Sequence, residues 1–174
     1  MLAKTLLLLL GASIASCEYK VHTPLEHQHS EEFERRAAAA PNDNMIYVHL
    51  IPHTHDDIGW LKTVDEYYSG TNTHATMADV SAILDNTIFE LLMNPERRFT
   101  IVEMKFFSMW FYRQDATLQE QVRGLAREGR IEFVNAGWSM HDEANTHYED
   151  QINNMMIGHE FLMKEFGIRP HIGW

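Results

Sequence analysis

Met45-Ile46-Tyr47-Val48-His49-Leu50-Ile51-Pro52 is a mostly apolar run of strand length that leads straight into His53-Thr54-His55-Asp56-Asp57-Ile58-Gly59-Trp60. An apolar run without clean alternation predicts a strand buried on both faces, the habit of parallel sheets. Phe99 to Met104 and Ile131 to Val134 have the same texture, and Pro170 to Trp174 reads as the start of a fourth strand. Helical patterns separate these runs. Thr76, with Asp79 three residues on, predicts an N-cap ahead of Met77, Val80, Leu84, Ile88 and Leu91. Leu118, Val122 and Leu125 recur at helical spacing before Gly129, and Ile152, Met155, Met156, His159 and Leu162 before Gly167, both glycines being natural helix stops. The methionines read as core filler. Strands alternating with helices imply right-handed βαβ units, a parallel sheet and an α/β fold. Three and a fraction units do not close a barrel, and no glycine-rich phosphate loop follows the first strand, which weakens a nucleotide-binding sheet.

The 174 residues suffice for one ordinary domain, and 45% apolar with 11% aromatic content supports a real core. A net charge of -11, with only 14 scattered basic residues, argues against nucleic acid or an anionic membrane as partner. Eleven histidines fit metal ligation or pH sensing, and composition alone does not choose. At the N-terminus Lys4 precedes the apolar run Leu6 to Leu10, with small residues at Ala15 and Ser16, so residues 1–17 read as a secretory signal peptide too short to span a bilayer stably. Cleavage after Cys17 leaves no cysteine and hence no disulfide framework. The rival reading takes Ile14-Ala15-Ser16-Cys17 as a bacterial lipoprotein site with the lipid on Cys17. Residues 18–44, polar and carrying Glu31-Glu32-Phe33-Glu34-Arg35-Arg36, read as a linker or helical arm, and residues 45–174 as the N-terminal portion of a catalytic domain. Oligomeric state leaves no mark in the sequence.

The chemistry gathers after the first strand. In an extended chain residues two apart point to the same side, so His55 and Asp57 converge while Thr54 and Asp56 face away. An imidazole with a carboxylate suits zinc, and sites in parallel barrels lie at the C-terminal ends of strands. His53 shares the face of His55, as a ligand, a supporting donor or a buried ring. After the second strand come Glu103, Lys105, Phe106 and Phe107; after the third, Asn135-Ala136-Gly137-Trp138-Ser139-Met140-His141-Asp142-Glu143-Ala144. Gly137 beside Trp138 permits close backbone approach and offers a flat apolar face, suited equally to a sugar ring or to the core. Asp142 and Glu143 fit acid, base or helix-capping roles.

His53 to Trp60, continued by Leu61-Lys62-Thr63-Val64-Asp65-Glu66-Tyr67-Tyr68, resembles the opening signature of glycoside hydrolase family 38, especially the lysosomal class II α-mannosidases. The likeness runs on through Arg98 to Phe107, Gly129 to Ala144 and Thr146-His147-Tyr148. It implies the N-terminal part of a seven-stranded parallel α/β barrel, a zinc ion held by two aspartates and two histidines, and a retaining α-mannosidase acting on mannose-containing oligosaccharides of N-glycans, in the secretory pathway and most naturally the lysosome. His55 and Asp57 match the first two zinc ligands, and Trp60 the aromatic lining the mannose subsite. The family's nucleophile, an aspartate that also binds zinc, is expected just after Trp174, so no catalytic residue falls within these 174 and the chain alone is expected to be inactive. Ala136, where the family usually has glycine, and His141 are small departures. In the full-length relative, two carboxylates about 5 to 5.5 Å apart attack and protonate, and the metal orients sugar hydroxyls. Two alternatives stand beside this: an amidohydrolase-like enzyme with His53 and His55 as a metal pair, and a non-catalytic truncated product.

Overall fold

The structure, a computed structural model, describes Ile46, residues 48–142 and residues 147–174. The expected signal segment 1–17 with Cys17, the expected linker or arm 18–44, and Met45, Tyr47 and residues 143–146 lie outside the described residues. Among the described residues, five helices and two strands follow in chain order: α1 (Val64–Ser69), α2 (Val80–Met93), β1 (Phe99–Ile101), α3 (Met104–Phe111), α4 (Ala116–Arg127), β2 (Ile131–Phe133) and α5 (Tyr148–Phe166).

Local chemistry sets most boundaries. Thr63 and Glu66 form a reciprocal capping box at the start of α1, which ends at Gly70 in the left-handed region. Asp79 caps α2 by accepting from the Ala82 amide, and Asp115 caps α4 through the Leu118 amide. The N-cap expected at Thr76 is therefore corrected to Asp79, and Met77 is exposed outside the helix. A carboxylate facing the free first-turn amides satisfies them better than a hydroxyl three residues upstream. Gly167, at φ 68°, ends α5 as expected.

β1 and β2 pair in parallel, Phe99 opposite Ile131 and Ile101 opposite Phe133. The described residues of the first apolar run do not form the doubly buried strand that its composition predicts. Val48, Leu50 and Ile51 are exposed, and only residues 52–54 join the sheet, through a parallel bridge between His53 and Thr100. Burial on both faces needs a layer on each side, and the exposed side chains of Val48, Leu50 and Ile51 show that these layers do not cover this segment. The second strand is also shorter than expected, because Met104 already opens α3. Pro170 to Trp174 makes no strand; one hydrogen bond, from the Asn135 amide to the Ile172 carbonyl (2.7 Å), holds it by the end of β2.

The core lies between the sheet and its helices. Val80, Leu84, Ile88 and Leu91 of α2 and Val122 and Leu125 of α4 are buried, as their spacing predicts. Helix α3, absent from the sequence reading, supplies the largest buried side chains: Phe106, Phe107, Trp110 and Phe111. Phe107 packs on Phe133 of β2 (centroids 5.3 Å apart) and Phe111 on Phe166 of α5 (5.0 Å). Each such ring contributes roughly 1.5 to 3 kcal/mol by burial. In α5 the expected stripe is only partly inward: Leu162 is buried, but Ile152 and Met156 are exposed, so Met156 is not core filler. Phe161 and Gly158 take the buried positions instead, because the face that meets α3 is set by the aromatic cluster. Among the described residues no helix is long and apolar enough to cross a membrane.

Candidate metal centre and cleft

Residues 52–57 run alongside β1, and alternation sorts their side chains. The Thr100 amide donates to the Pro52 carbonyl (2.9 Å) and the Thr54 amide to the Thr100 carbonyl (3.1 Å). Thr54 is buried against the sheet, whereas the His55 and Asp57 side chains stay 61% and 46% exposed on the other side. His55 Nε2 stands 3.8 Å from Asp57 Oδ1. Two donors about 2.1 Å from a tetrahedral zinc are about 3.4 Å apart, so this pair has the chemistry and nearly the spacing of half a zinc site. Among the described residues no three His, Cys, Asp or Glu side chains gather to hold a metal. His53, the third candidate, is engaged elsewhere: its Nδ1 meets the Thr54 carbonyl at 2.7 Å and its ring lies 4.3 Å from that of Trp174.

Behind the pair is a buried acidic layer. The Asp56 amide donates to Glu103 Oε1 (3.0 Å), and Glu103 is only 2% exposed. Burial, then the neighbouring Glu103 carboxylate, push the Asp56 carboxyl up to about 6, with His55 opposing and Asp57 adding to the push. Burial likewise lifts the Glu103 carboxyl above its ordinary range, against hydrogen bonds from the Thr54 hydroxyl and the Asp56 amide.

Beyond Asp57 the chain turns sharply. The Gly59 amide donates to the Asp57 carbonyl (2.9 Å) with Gly59 at φ 81°, a conformation that suits glycine. Trp60 then projects outward, 72% exposed. What steadies this turn is Lys62, whose side chain is buried and whose Nζ donates to the carbonyls of Thr71 (2.8 Å), Thr76 (3.0 Å) and Ala78 (2.8 Å). Asp57, Ile58, Gly59 and Trp60 form one wall of a cleft of about 330 Å³, and Ser139, Met140 and Asp142 form the other.

The second wall is held by α5. Asn154 accepts from the Ser139 amide (2.8 Å), donates to the Ser139 carbonyl (2.7 Å) and takes the Trp138 amide on its own carbonyl (2.9 Å). His159 Nε2 meets the Asn135 carbonyl at 2.9 Å. Asn135 and Ala136 both have positive φ (54°), so the chain reverses tightly as it leaves β2. Trp138, half-buried, packs against the core with Lys105 Nζ 5.4 Å from its ring centroid, and does not line the cleft. The sequence reading missed Lys62 and Asn154; a lone polar residue inside an apolar spacing is their only mark.

The cleft thus lies where the C-terminal ends of three parallel segments meet, with an imidazole–carboxylate pair and an exposed indole at its rim. The sequence model for the N-terminal domain of glycosyl hydrolases family 38 matches residues 45–174. The chain belongs to glycosyl hydrolase family 38. It is 50% identical over 133 residues to the lysosomal alpha-mannosidase of Dictyostelium discoideum, covering 76% of this chain and 13% of that protein. Identity to the lysosomal alpha-mannosidase of Homo sapiens is 51% over 133 residues, with 75% and 13% covered. With the alpha-mannosidase of Canavalia ensiformis it is 46% over 129 residues, with 74% and 13% covered. The chain therefore spans about one eighth of the length of these curated relatives.

Proposed function

We propose that this family 38 chain is the N-terminal portion of a zinc-dependent retaining α-mannosidase that removes terminal α-mannose from N-glycans in the secretory pathway, most naturally the lysosome. The names of the relatives support the reaction and the compartment. The observation that carries the site is the exposed His55–Asp57 pair, 3.8 Å apart, whose Asp57 lines one wall of a cleft at the strand ends.

His55 and Asp57 hold half of the zinc site, within a seven-stranded barrel to which the parallel sheet and its helices belong. Bound zinc supplies electrostatic orientation of sugar hydroxyls. The chain's own residues bind and position. Trp60 offers a flat apolar face against the sugar ring, while Ser139 and Asp142 across the cleft present polar groups to its hydroxyls. Retention of configuration needs a nucleophile and an acid/base carboxylate about 5 to 5.5 Å apart. Neither role is assigned to a residue of this chain.

The test is metal analysis of single substitutions in a polypeptide carrying the family's remaining donors. His55→Ala and Asp57→Ala each abolish zinc retention and turnover of an aryl α-mannoside, and Asp56→Ala, whose side chain turns toward Glu103, leaves zinc in place. Zinc lost from His53→Ala and His55→Ala, with Asp57→Ala silent, points instead to a metal hydrolase built on a His-x-His pair.

A further inference from the structure

Residues 52–56 start as a regular parallel partner of β1, and the regular ladder stops after two hydrogen bonds. With His53 opposite Thr100, the next bonds of a parallel ladder run from the Val102 amide to the Thr54 carbonyl and from the Asp56 amide to the Val102 carbonyl. Neither takes that form. The Val102 amide donates to the Thr54 hydroxyl (2.9 Å) rather than to its carbonyl, which His53 occupies. The Asp56 amide donates to Glu103 Oε1 (3.0 Å). The cause is local: Glu103 is the N-cap of α3, so the backbone turns into a helix just where the ladder would continue. Two side chains take over where the ladder ends.

We infer that Glu103 is a positioning residue for the metal pair, its buried carboxylate replacing a ladder acceptor so that His55 and Asp57 leave the sheet on the same side. The bonded amide belongs to the peptide linking His55 to Asp56. Anchoring it restricts the backbone between the two donors and therefore the angle between their side chains. No other acceptor is offered to this amide among the described residues. The inference rests on the zinc reading for its purpose, but not for its geometry.

Two measurements, on isotopically labelled polypeptide carrying the family's remaining donors, separate these parts. Amide exchange tests the anchor without metal: Glu103→Ala speeds exchange at Asp56 by about tenfold or more, whereas Glu103→Gln, which keeps a carbonyl acceptor, stays close to the parent. Amides of Val122 and Leu125 in α4 serve as the control for folding. Titration with zinc chloride, read by the His55 ring resonances, tests the purpose: the midpoint rises about tenfold or more in Glu103→Ala and is restored in Glu103→Gln. An unchanged Asp56 rate in Glu103→Ala, acceleration spread equally over α4, or Glu103→Gln behaving like Glu103→Ala overturns the inference. Parent chain whose His55 signals ignore zinc sinks the zinc reading, and the exchange rate at Asp56 still decides whether Glu103 anchors the segment.

Discussion

Trp60 and Lys62 are two residues apart and have opposite fates. Trp60 is an indole left in water at a cleft wall, so its removal costs the fold little. Trp60→Ala is expected to change stability by no more than about 0.5 kcal/mol. Mannoside turnover, in a polypeptide with the remaining donors, falls by an amount corresponding to roughly 1 to 3 kcal/mol of lost contact while zinc stays bound. Unchanged kinetics would remove Trp60 from the sugar site. Lys62 is the reverse case: an ammonium out of water whose three protons meet three carbonyls of the 71–78 loop. Lys62→Met keeps most of the volume but strands those carbonyls, and a loss of about 2 to 4 kcal/mol is expected in denaturant unfolding. A loss below 0.5 kcal/mol, on the same scale as a surface change, would mean that water reaches the loop.

At the scale of elements, α5 decides how the second wall sits. A Cβ at Gly158 would meet the Ala136 carbonyl oxygen and stand 2.8 Å from the Gly137 carbonyl carbon. Alanine is worth up to about 1 kcal/mol to an exposed helix, but overpacking costs about 1 to 3 kcal/mol, and backbone atoms yield little. Gly158→Ala is therefore expected to lower the denaturant midpoint, and a rise would show that α5 stands off the loop. The other end of α5 is tied to α3 and α4 through Glu165, which accepts from the Tyr112 hydroxyl (3.0 Å) and from Arg123 Nη2 (3.2 Å). Burial pushes the Glu165 carboxyl up, but the hydrogen bonds from Lys164 and Tyr112 and the nearby positive charges outweigh it, and the group titrates below its ordinary value. A depressed carboxyl binds its proton more readily when unfolded. Its stabilisation is thus present above the ordinary glutamate range and is lost as pH falls through the folded value. Thermal melts of Glu165→Gln are expected to lie below the parent at pH 7, by about 1 kcal/mol for a partly exposed pair, and to converge with it toward pH 3. A gap that is constant with pH would assign the effect to packing.

For the molecule as a whole, the two proposed zinc donors and the exposed apolar surface predict the behaviour of these 174 residues tested alone. Two donors cannot approach the roughly 10 to 16 kcal/mol apparent for complete structural zinc sites, so zinc binding is expected to be weak and α-mannosidase activity absent. Val48, Leu50, Ile51, Ile152 and Met156 present apolar side chains to water, and among the described residues only β1 pairs with the 52–54 segment, which favours association. Low solubility is expected in sedimentation. Monomeric protein that holds one zinc per chain and hydrolyses an aryl α-mannoside well above a metal-free control would overturn this, and would point to Asp142, which lines the cleft opposite Asp57, for the missing chemistry.

Period and punctuation made much of this readable in advance. The 3.6-residue spacing of Val80, Leu84, Ile88 and Leu91 and of Val122 and Leu125, the stop at Gly167, and the two-residue alternation from Thr54 to Asp57 are local properties, carried by the backbone wherever it lies. The motif His53 to Trp60 was legible for the same reason, its residues being contiguous. What the sequence could not show depends on partners far along the chain. Met45 to Pro52 has strand composition, yet the exposure of Val48, Leu50 and Ile51 was decided by which layers lie beside them. Helix α3 was hidden because Met104 to Phe111 is buried nearly all round, so that no polar face marks a period. Glu103, Lys62 and Asn154 owe their places to contacts with the Asp56 amide, the 71–78 carbonyls and Ser139, and an acceptor or ammonium has no sequence signature for the loop that will fold onto it. Covalent neighbours set the pattern of the elements, and only the packing of distant ones determined which polar groups hold the cleft.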